Sequence, residues 1–208
     1  SATGHKNRLF KNNGDGTFEE RTYYTQADDT GKLPFCAAFF DYNKDNWPDI
    51  YIANDRNKGN TLLMNDTGMF EDVSEICNAD LEIDAMNVAI GDIDNNGLQD
   101  IYITNTPSGS ALLTCSADSD TYVFEEAAGD RGVGFYGIGW GANFLDANND
   151  GWQDLFISNG HYKDITDLDY LKYRSMEAVT AAGGNDHVKA LDLINLMTST
   201  KISNYTVS

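Results

Sequence analysis

Short apolar runs rich in Ile, Leu, Phe, Trp and Tyr alternate with clusters of Asp, Asn and Gly along most of the chain. Each Asp-rich cluster lies between two such runs. The runs before the clusters are Phe35–Phe40, Met86–Gly91 and Trp140–Leu145, and those after them are Ile50–Asn54, Ile101–Asn105 and Leu155–Asn159. None of these runs has the 3.6-residue period of an amphipathic helix, so the pattern predicts short β-strands joined by polar loops.

A second motif recurs between the loops and extends the repeat to four strands. It reads Asn7-Arg-Leu-Phe, then Asn60-Thr-Leu-Leu, then Ser110-Ala-Leu-Leu, and each copy leads through a turn to Phe18, Phe70 or Phe124. The first Asp of the loop recurs at positions 41, 92 and 146. Four short antiparallel strands with a period of roughly 50 residues are typical of a β-propeller blade.

The sequence therefore predicts an all-β fold, a partial or open β-propeller of about three blades with four antiparallel strands each. The predicted units are a partial blade at 7–34, blades at 35–85 and 86–138, and a last blade at 139–208. Segment 164–198 interrupts the last blade, because its apolar residues form two helical stripes separated by Gly183-Gly184. We expect a helical hairpin insertion there, either a cover over an apolar patch or a docking element.

The two ends of the sequence predict the same blade element. Ser203–Val207 aligns with Lys6–Phe10, so the chain is expected to begin and end at the third strand of a blade. Closed propellers need about 4–8 blades, and proteins avoid unpaired sheet edges. We therefore expect either a segment of a longer propeller or a subunit whose blades other copies complete head to tail, as in a filament.

Composition narrows the classes of partner. The 208 residues include 14 Lys and Arg against 33 Asp and Glu, for a net charge of −19. This charge disfavours nucleic acid and anionic membrane surfaces as partners. No apolar run reaches the ~18 residues that a membrane span requires. Because 41% of the residues are hydrophobic and 12% aromatic, we expect a folded protein whose carboxylates are partly balanced by cations.

Each Asp-rich loop carries oxygen-bearing side chains at positions 1, 3, 5 and 9, and Gly or Asn at the turn position 6. Calcium takes about six to eight oxygen ligands, and position 7 of such a loop supplies a backbone carbonyl. An EF-hand is a poor explanation, because position 12 is Ile in all three loops rather than an acid. Magnesium is disfavoured because it retains several waters, and the remaining alternative is a solvated Asp/Asn turn without an ion.

The loops therefore predict about three structural Ca²⁺ ions, each held by side chains at positions 1, 3, 5 and 9 and by the carbonyl of position 7. The predicted ligands are Asp41, Asn43, Asp45, Trp47 and Asp49 in the first loop, Asp92, Asp94, Asn96, Leu98 and Asp100 in the second, and Asp146, Asn148, Asp150, Trp152 and Asp154 in the third.

The loop pattern D-x-[DN]-x-[DN]-[GN]-x-x-D, followed by a short β-type run, resembles the FG-GAP/VCBS repeat. Asn7–Asp49 and Asn143–Lys163 are most similar to the ASPIC/UnbV variety found in cartilage-acidic-protein-like secreted proteins, and Ser199–Tyr205 resembles the end of an insertion in bacterial members. The resemblance implies calcium-stabilised blades like those of integrin α-subunits, in an extracellular or surface protein, and implies no enzymatic activity. The sequence departs from the pattern at Asn46 and Pro48, and at Thr114–Thr121, where the usual turn is missing.

These observations predict a non-catalytic, secreted, calcium-binding module for adhesion or assembly, with no catalytic and no organic cofactor residues. Its expected partners are other copies of itself, the rest of a longer propeller, or a protein or glycan ligand. The alternatives are a carbohydrate-active enzyme on a calcium-bearing propeller and a lectin-like binder that uses Trp47, Trp140 or Trp152. Asn65 and Asn204 lie in N-glycosylation sequons, and we expect Asn65 at an accessible turn.

Overall fold

A computed structural model describes residues 6–28, 31–106, 108–119 and 121–160. The chain divides into a unit of residues 1–159 and a unit of residues 160–208, and every element below lies in the first. The strands are β1 (Phe10–Asn12), β2 (Phe18–Glu20), β3 (Pro34–Phe40), β4 (Asp49–Asn54), β5 (Lys58–Gly59), β6 (Thr61–Asp66), β7 (Met69–Asp72), β8 (Glu82–Ile83), β9 (Ala85–Gly91), β10 (Asp100–Asn105), β11 (Ala111–Asp118), β12 (Thr121–Glu126), β13 (Gly139–Leu145) and β14 (Asp154–Asn159), with one short helix, α1 (Thr22–Thr25).

The strands form antiparallel sheets that repeat along the chain. Two sheets have four strands, in the orders β3-β4-β6-β7 and β9-β10-β11-β12, while β1-β2 and β13-β14 form two-stranded sheets and β5 pairs with β8. This architecture confirms the predicted fold class of partial β-propeller blades. The predicted helical hairpin at 164–198 and the strand expected near 203–207 lie outside the described residues.

Strand pairing places each Asp-rich loop at the same point of its sheet. In all three sheets the last residue before the loop pairs with the Asp at position 9, through the partners Phe40 and Asp49, Gly91 and Asp100, and Leu145 and Asp154. Positions 1 to 8 of the loop therefore form an eight-residue connection, and position 9 is the first residue of the second strand of the blade. The hairpin of β11 and β12 also forms, across the segment where the usual turn is missing.

The core lies between neighbouring sheets rather than within one of them. Side chains alternate along a strand, so one face packs on the preceding sheet and the other on the following sheet. Tyr51 and Tyr102, at matching positions of β4 and β10, are fully buried. Each hydroxyl donates a 2.9 Å hydrogen bond to a backbone carbonyl, that of Ala79 or Val133. The repeat therefore uses the same buried aromatic position in two successive blades.

Among the described residues, no helix has the length and apolar character that crossing a membrane requires.

Candidate metal centres

The three Asp-rich loops share a backbone path that requires left-handed residues at positions 4 and 6. Position 6 is Gly97 or Gly151 in the second and third loops, with φ of 83° and 88°. In the first loop Asn46 takes this place with φ of 69°. Asn tolerates the left-handed conformation better than other residues with a side chain. The departure from Gly at Asn46 therefore leaves the turn intact.

The Asp at position 1 organises the loop around its carboxylate. Its Oδ1 accepts the N–H of residue 5 and its Oδ2 accepts the N–H of residue 6 in every loop. The bonds run to Asp41 from Asp45 (3.1 Å) and Asn46 (2.9 Å), to Asp92 from Asn96 (3.1 Å) and Gly97 (2.8 Å), and to Asp146 from Asp150 (3.1 Å) and Gly151 (2.9 Å). The loop's own backbone thus fixes the direction of both carboxylate oxygens.

Positions 3 and 5 continue the same hydrogen-bond pattern. The side-chain Oδ1 of residue 3 accepts the N–H of residue 5, and the Oδ1 of residue 5 accepts the N–H of residue 7. For position 3 the acceptors are Asn43 (3.2 Å), Asp94 (3.2 Å) and Asn148 (3.0 Å), and for position 7 the donors are Trp47 (2.7 Å), Leu98 (2.6 Å) and Trp152 (2.9 Å). The predicted ligand positions are therefore tied to one another within each loop.

The Asp at position 9 connects the loop to the body of the blade. Asp49 and Asp100 are fully buried, and the Oδ2 of each accepts the N–H of residue 2 of its loop at 2.9 Å. Their Oδ1 atoms accept the N–H of Asn65 and Cys115 on the third strand, both at 2.8 Å. Asp154 accepts the corresponding N–H of its loop at 3.0 Å, but it is exposed.

Burial has a clear electrostatic effect at position 9. Burial raises the pKa of Asp49 to about 6, although the two N–H donors lower it. The negative charges of Asp45 and Asp41 raise this pKa further. The pKa of Asp100 is raised for the same main reason. A carboxylate that is buried beside other carboxylates is stabilised in its charged form by a nearby cation. The two buried positions are therefore the places where an ion would have most effect.

The second loop brings its acids closest together. Carboxylate oxygens of Asp92, Asp94 and Asp100 lie within 4.8 Å of one another, the only such group of three acidic, His or Cys residues among those described. In the first and third loops position 3 is Asn, and its Nδ2 donates to the Asp at position 5 at 2.9 Å. Those two loops therefore direct the Asp at position 5 toward an amide rather than toward the other acids.

The third strand supplies site residues that the sequence analysis did not identify. Asn65 caps Asp49 through its backbone N–H, and its side-chain Nδ2 donates to the Pro48 carbonyl at 2.8 Å. With only 5% of its surface exposed, Asn65 does not lie at the accessible turn that we expected from its sequon. The available signal is spacing, because Asn65 and Cys115 each follow the start of the repeated third-strand motif by five residues. Asn204 lies outside the described residues.

Neighbouring loops also contact one another. The Nδ2 of Asn95, at position 4 of the second loop, donates to the Gly151 carbonyl at position 6 of the third loop, at 3.1 Å. Lys44, at position 4 of the first loop, places its Nζ 3.0 Å from where a Cβ on Gly97 would lie. Position 4 of one loop therefore reaches position 6 of the next, and the candidate sites form a row.

The comparisons with known proteins agree with this arrangement. Residues 1–52 and 41–103 match the family model of FG-GAP-like repeats, so the first part of the chain carries such repeats. No curated protein matches the chain. The third Asp-rich loop repeats the same hydrogen bonds beyond the matched residues. The family match supports an FG-GAP/VCBS repeat protein, and the finer ASPIC/UnbV assignment stays a prediction.

Proposed function

We propose that this FG-GAP-like repeat protein is a non-catalytic, calcium-stabilised β-propeller module that acts outside the cell in adhesion or assembly. FG-GAP repeats are typical of extracellular, integrin-like propellers, are generally non-catalytic and often bind Ca²⁺. The chain's charge of −19 and its oxygen-rich loops support the same function.

One observation carries this proposal: each of the three loops forms the same pattern of hydrogen bonds, although the loops lie roughly 50 residues apart in the sequence. In each loop backbone N–H groups hold the side chains of positions 1, 3, 5 and 9, which supply only hard oxygen ligands. Such a donor set suits Ca²⁺ and is unsuited to zinc or copper, which prefer nitrogen and sulfur. A solvated turn does not require three carboxylates within 4.8 Å, as in the second loop.

The loop residues would hold the ion, and its role would be structural. Asp100 links three parts of one blade, because its carboxylate ends the loop, accepts the N–H of Ile93 and accepts the N–H of Cys115 on β11. Asp49 makes the equivalent links to Tyr42 and Asn65. When bound, Ca²⁺ supplies the positive charge that these buried carboxylates lack. Binding would thus strengthen the connection of the first, second and third strands.

Thermal unfolding in the presence and absence of calcium tests this function. We expect the melting temperature of the full chain to fall sharply when EDTA replaces excess CaCl₂, and to recover little when MgCl₂ is added instead. Titration calorimetry of the calcium-free protein should give about three ions per chain. An unchanged melting temperature in EDTA, with no binding heat, would contradict the proposal.

A second candidate function, glycan binding, is favoured by the exposed Trp side chains of the loops. Trp47 and Trp152 occupy position 7 of the first and third loops, and 43% and 54% of their surfaces are exposed. Aromatic rings beside a calcium site offer an apolar surface that packs against sugar rings. Quenching or a shift of Trp fluorescence on a glycan panel, lost in a Trp152→Ala variant, would support this function.

A further inference from the structure

The outward face of the last described sheet carries an aromatic residue whose equivalents are buried elsewhere. Because each second strand starts at the Asp of position 9, Phe156 of β14 occupies the position of Tyr51 in β4 and Tyr102 in β10. Both tyrosines are 0% exposed, whereas Phe156 is 62% exposed. Among the described residues, this inter-blade face therefore lacks the cover that its two equivalents have.

The covered faces show what kind of surface fits this position. Tyr102 packs edge-on against Phe144 of the following sheet, with ring centroids 6.4 Å apart and an interplanar angle of 80°. Phe144 lies on the first strand of that sheet, and Leu155 and Ile157 from its second strand pack against the same cluster. The face thus accepts the first two strands of another blade, which present one aromatic and several aliphatic side chains.

The same chain exposes such a surface at its other side. Counting along the repeat, Phe39 of β3 is the equivalent of Phe144, and 61% of its surface is exposed. Phe39 lines a groove of about 360 Å³ together with Leu9, Ala27, Ile50 and Ile52. Ile50 and Ile52 are buried, because Leu9 and Ala27 already pack on them, so Phe39 is the exposed part of this surface. The chain therefore exposes one aromatic side chain from each half of an inter-blade contact, on different sheets.

The geometry points to a second copy of this chain as the occupant, docked head to tail so that Phe156 of one copy packs against Phe39 of the next. The contact reproduces the pair of Tyr102 and Phe144 between molecules. This inference rests on the proposed function in assembly and names its surface and partner. Two different patches meet, so the contact is heterologous and leaves a free face on each end of a pair.

One detail of the repeat supports this pairing. Phe156 has no hydroxyl, so it needs no carbonyl acceptor like those that Tyr51 and Tyr102 find within their own chain. The contact between copies needs no hydroxyl bond like that of Thr104 to the Trp140 carbonyl, because the equivalent Ser158 hydroxyl already donates to the Gly141 carbonyl of its own sheet at 3.2 Å.

Sedimentation velocity of the full chain in CaCl₂, over a concentration series, tests the contact. We expect concentration-dependent growth beyond the dimer. Phe156→Glu or Phe39→Glu should each reduce the association constant about 30-fold or more, as at a hot-spot aromatic. Tyr23→Glu is the matched control, because Tyr23 is an 85% exposed aromatic outside both surfaces, and it should leave association unchanged.

Mixing the two blocked variants gives the sharpest result. The Phe39→Glu chain keeps the Phe156 surface and the Phe156→Glu chain keeps the Phe39 surface, so an equimolar mixture should form a 1:1 heterodimer and nothing larger. In CaCl₂ the melting temperature of each variant should be close to that of the wild type, which would show that the variant is folded.

The inference is overturned by a wild-type chain that stays monomeric at every concentration, whatever the variants do. That result would indicate that residues 161–208 or a further blade cover the Phe156 surface. It is equally overturned if the mixed variants give no heterodimer while the wild type associates. A chain that binds calcium in the melting experiment yet remains monomeric contradicts only this contact, and leaves the calcium function standing.

Discussion

Replacing Asp94 by Asn should change the stability of this protein in opposite directions with and without calcium. The Oδ1 of Asp94 accepts one N–H, from Asn96 at 3.2 Å, and an Asn side chain can accept that bond equally well. The first and third loops already have Asn at this position, and they keep the same bond. The substitution therefore removes a charge while the loop geometry is conserved.

The electrostatic gain without calcium follows from the spacing of the acids. Carboxylate oxygens of these acids lie within 4.8 Å of one another. At that upper limit and an effective dielectric constant near 20, two full charges repel by about 3.5 kcal/mol. Asp94 takes part in two such pairs, with Asp92 and Asp100. Partial exposure of Asp92 and Asp94 weakens both repulsions, so we expect a net gain of about 1–2 kcal/mol. For a chain of this size that corresponds to a rise of about 2–8 °C in melting temperature in EDTA.

The loss with calcium comes from removing one of the three carboxylates of the second loop. Calcium affinity depends on the number of charged ligands, so we expect the affinity of this site to fall roughly tenfold or more. Differential scanning fluorimetry in EDTA and in CaCl₂ measures both effects on the same protein. Asp94→Asn combined with Asn96→Asp is the matched control, because it restores three acids in the arrangement of the other loops and should recover calcium stabilisation.

The reasoning is refuted if Asp94→Asn lowers the melting temperature by the same amount in EDTA and in CaCl₂. That outcome would mean that the carboxylate acts through its hydrogen bond alone and that no ion occupies the loop.

Three further predictions concern the Asp-rich loops and the buried tyrosine of the blades. Burial raises the pKa of Asp49 to about 6, so near that pH the folded calcium-free protein binds a proton that the unfolded chain does not. Melting curves in EDTA should therefore show stability rising as the pH is lowered from 7 to 5. In CaCl₂ protons compete with the ion, and stability should fall over the same pH range. In urea unfolding, Asn95→Ala should destabilise the protein by about 0.5 kcal/mol more than Asn149→Ala. Both substitutions replace an Asn in the left-handed conformation. Among the described residues, only Asn95 also loses a hydrogen bond to the next loop. Tyr102→Phe should lower the free energy of unfolding by about 1–2 kcal/mol, because it removes a buried hydroxyl donor. Tyr24→Phe, at an exposed site, should leave the free energy of unfolding unchanged. Equal losses for the two variants would contradict the packing described for the blades.

The strands and loops were predictable because their signals are local. The observed strands β4, β10 and β14 each begin one residue before the predicted apolar run, at the Asp of position 9. That Asp belongs to the strand because it pairs across to the residue before the loop. The hydrogen bonds within a loop span at most seven residues, so nine residues of sequence contain all the groups that form them.

The partners of the loops were not predictable from the same nine residues. The third strand caps Asp49 and Asp100 through the backbone N–H of Asn65 and Cys115, and a backbone N–H carries no sequence signature. The sequon at Asn65 suggested an accessible turn, yet its side chain is buried because it bonds to the Pro48 carbonyl. Short helix α1 and the pair of β5 and β8 also had no periodic pattern to indicate them.

The sequence by itself determined the repeat, the antiparallel blades and the oxygen-rich loops, because strand alternation and loop hydrogen bonds are short-range properties. Only the tertiary structure decided how these copies differ. It buries Asp49 while Asp154 stays exposed, and it covers Tyr102 while Phe156 faces outward. These differences arise because burial depends on what packs against a sheet from the neighbouring blade, and that neighbour lies about 50 residues away in the chain.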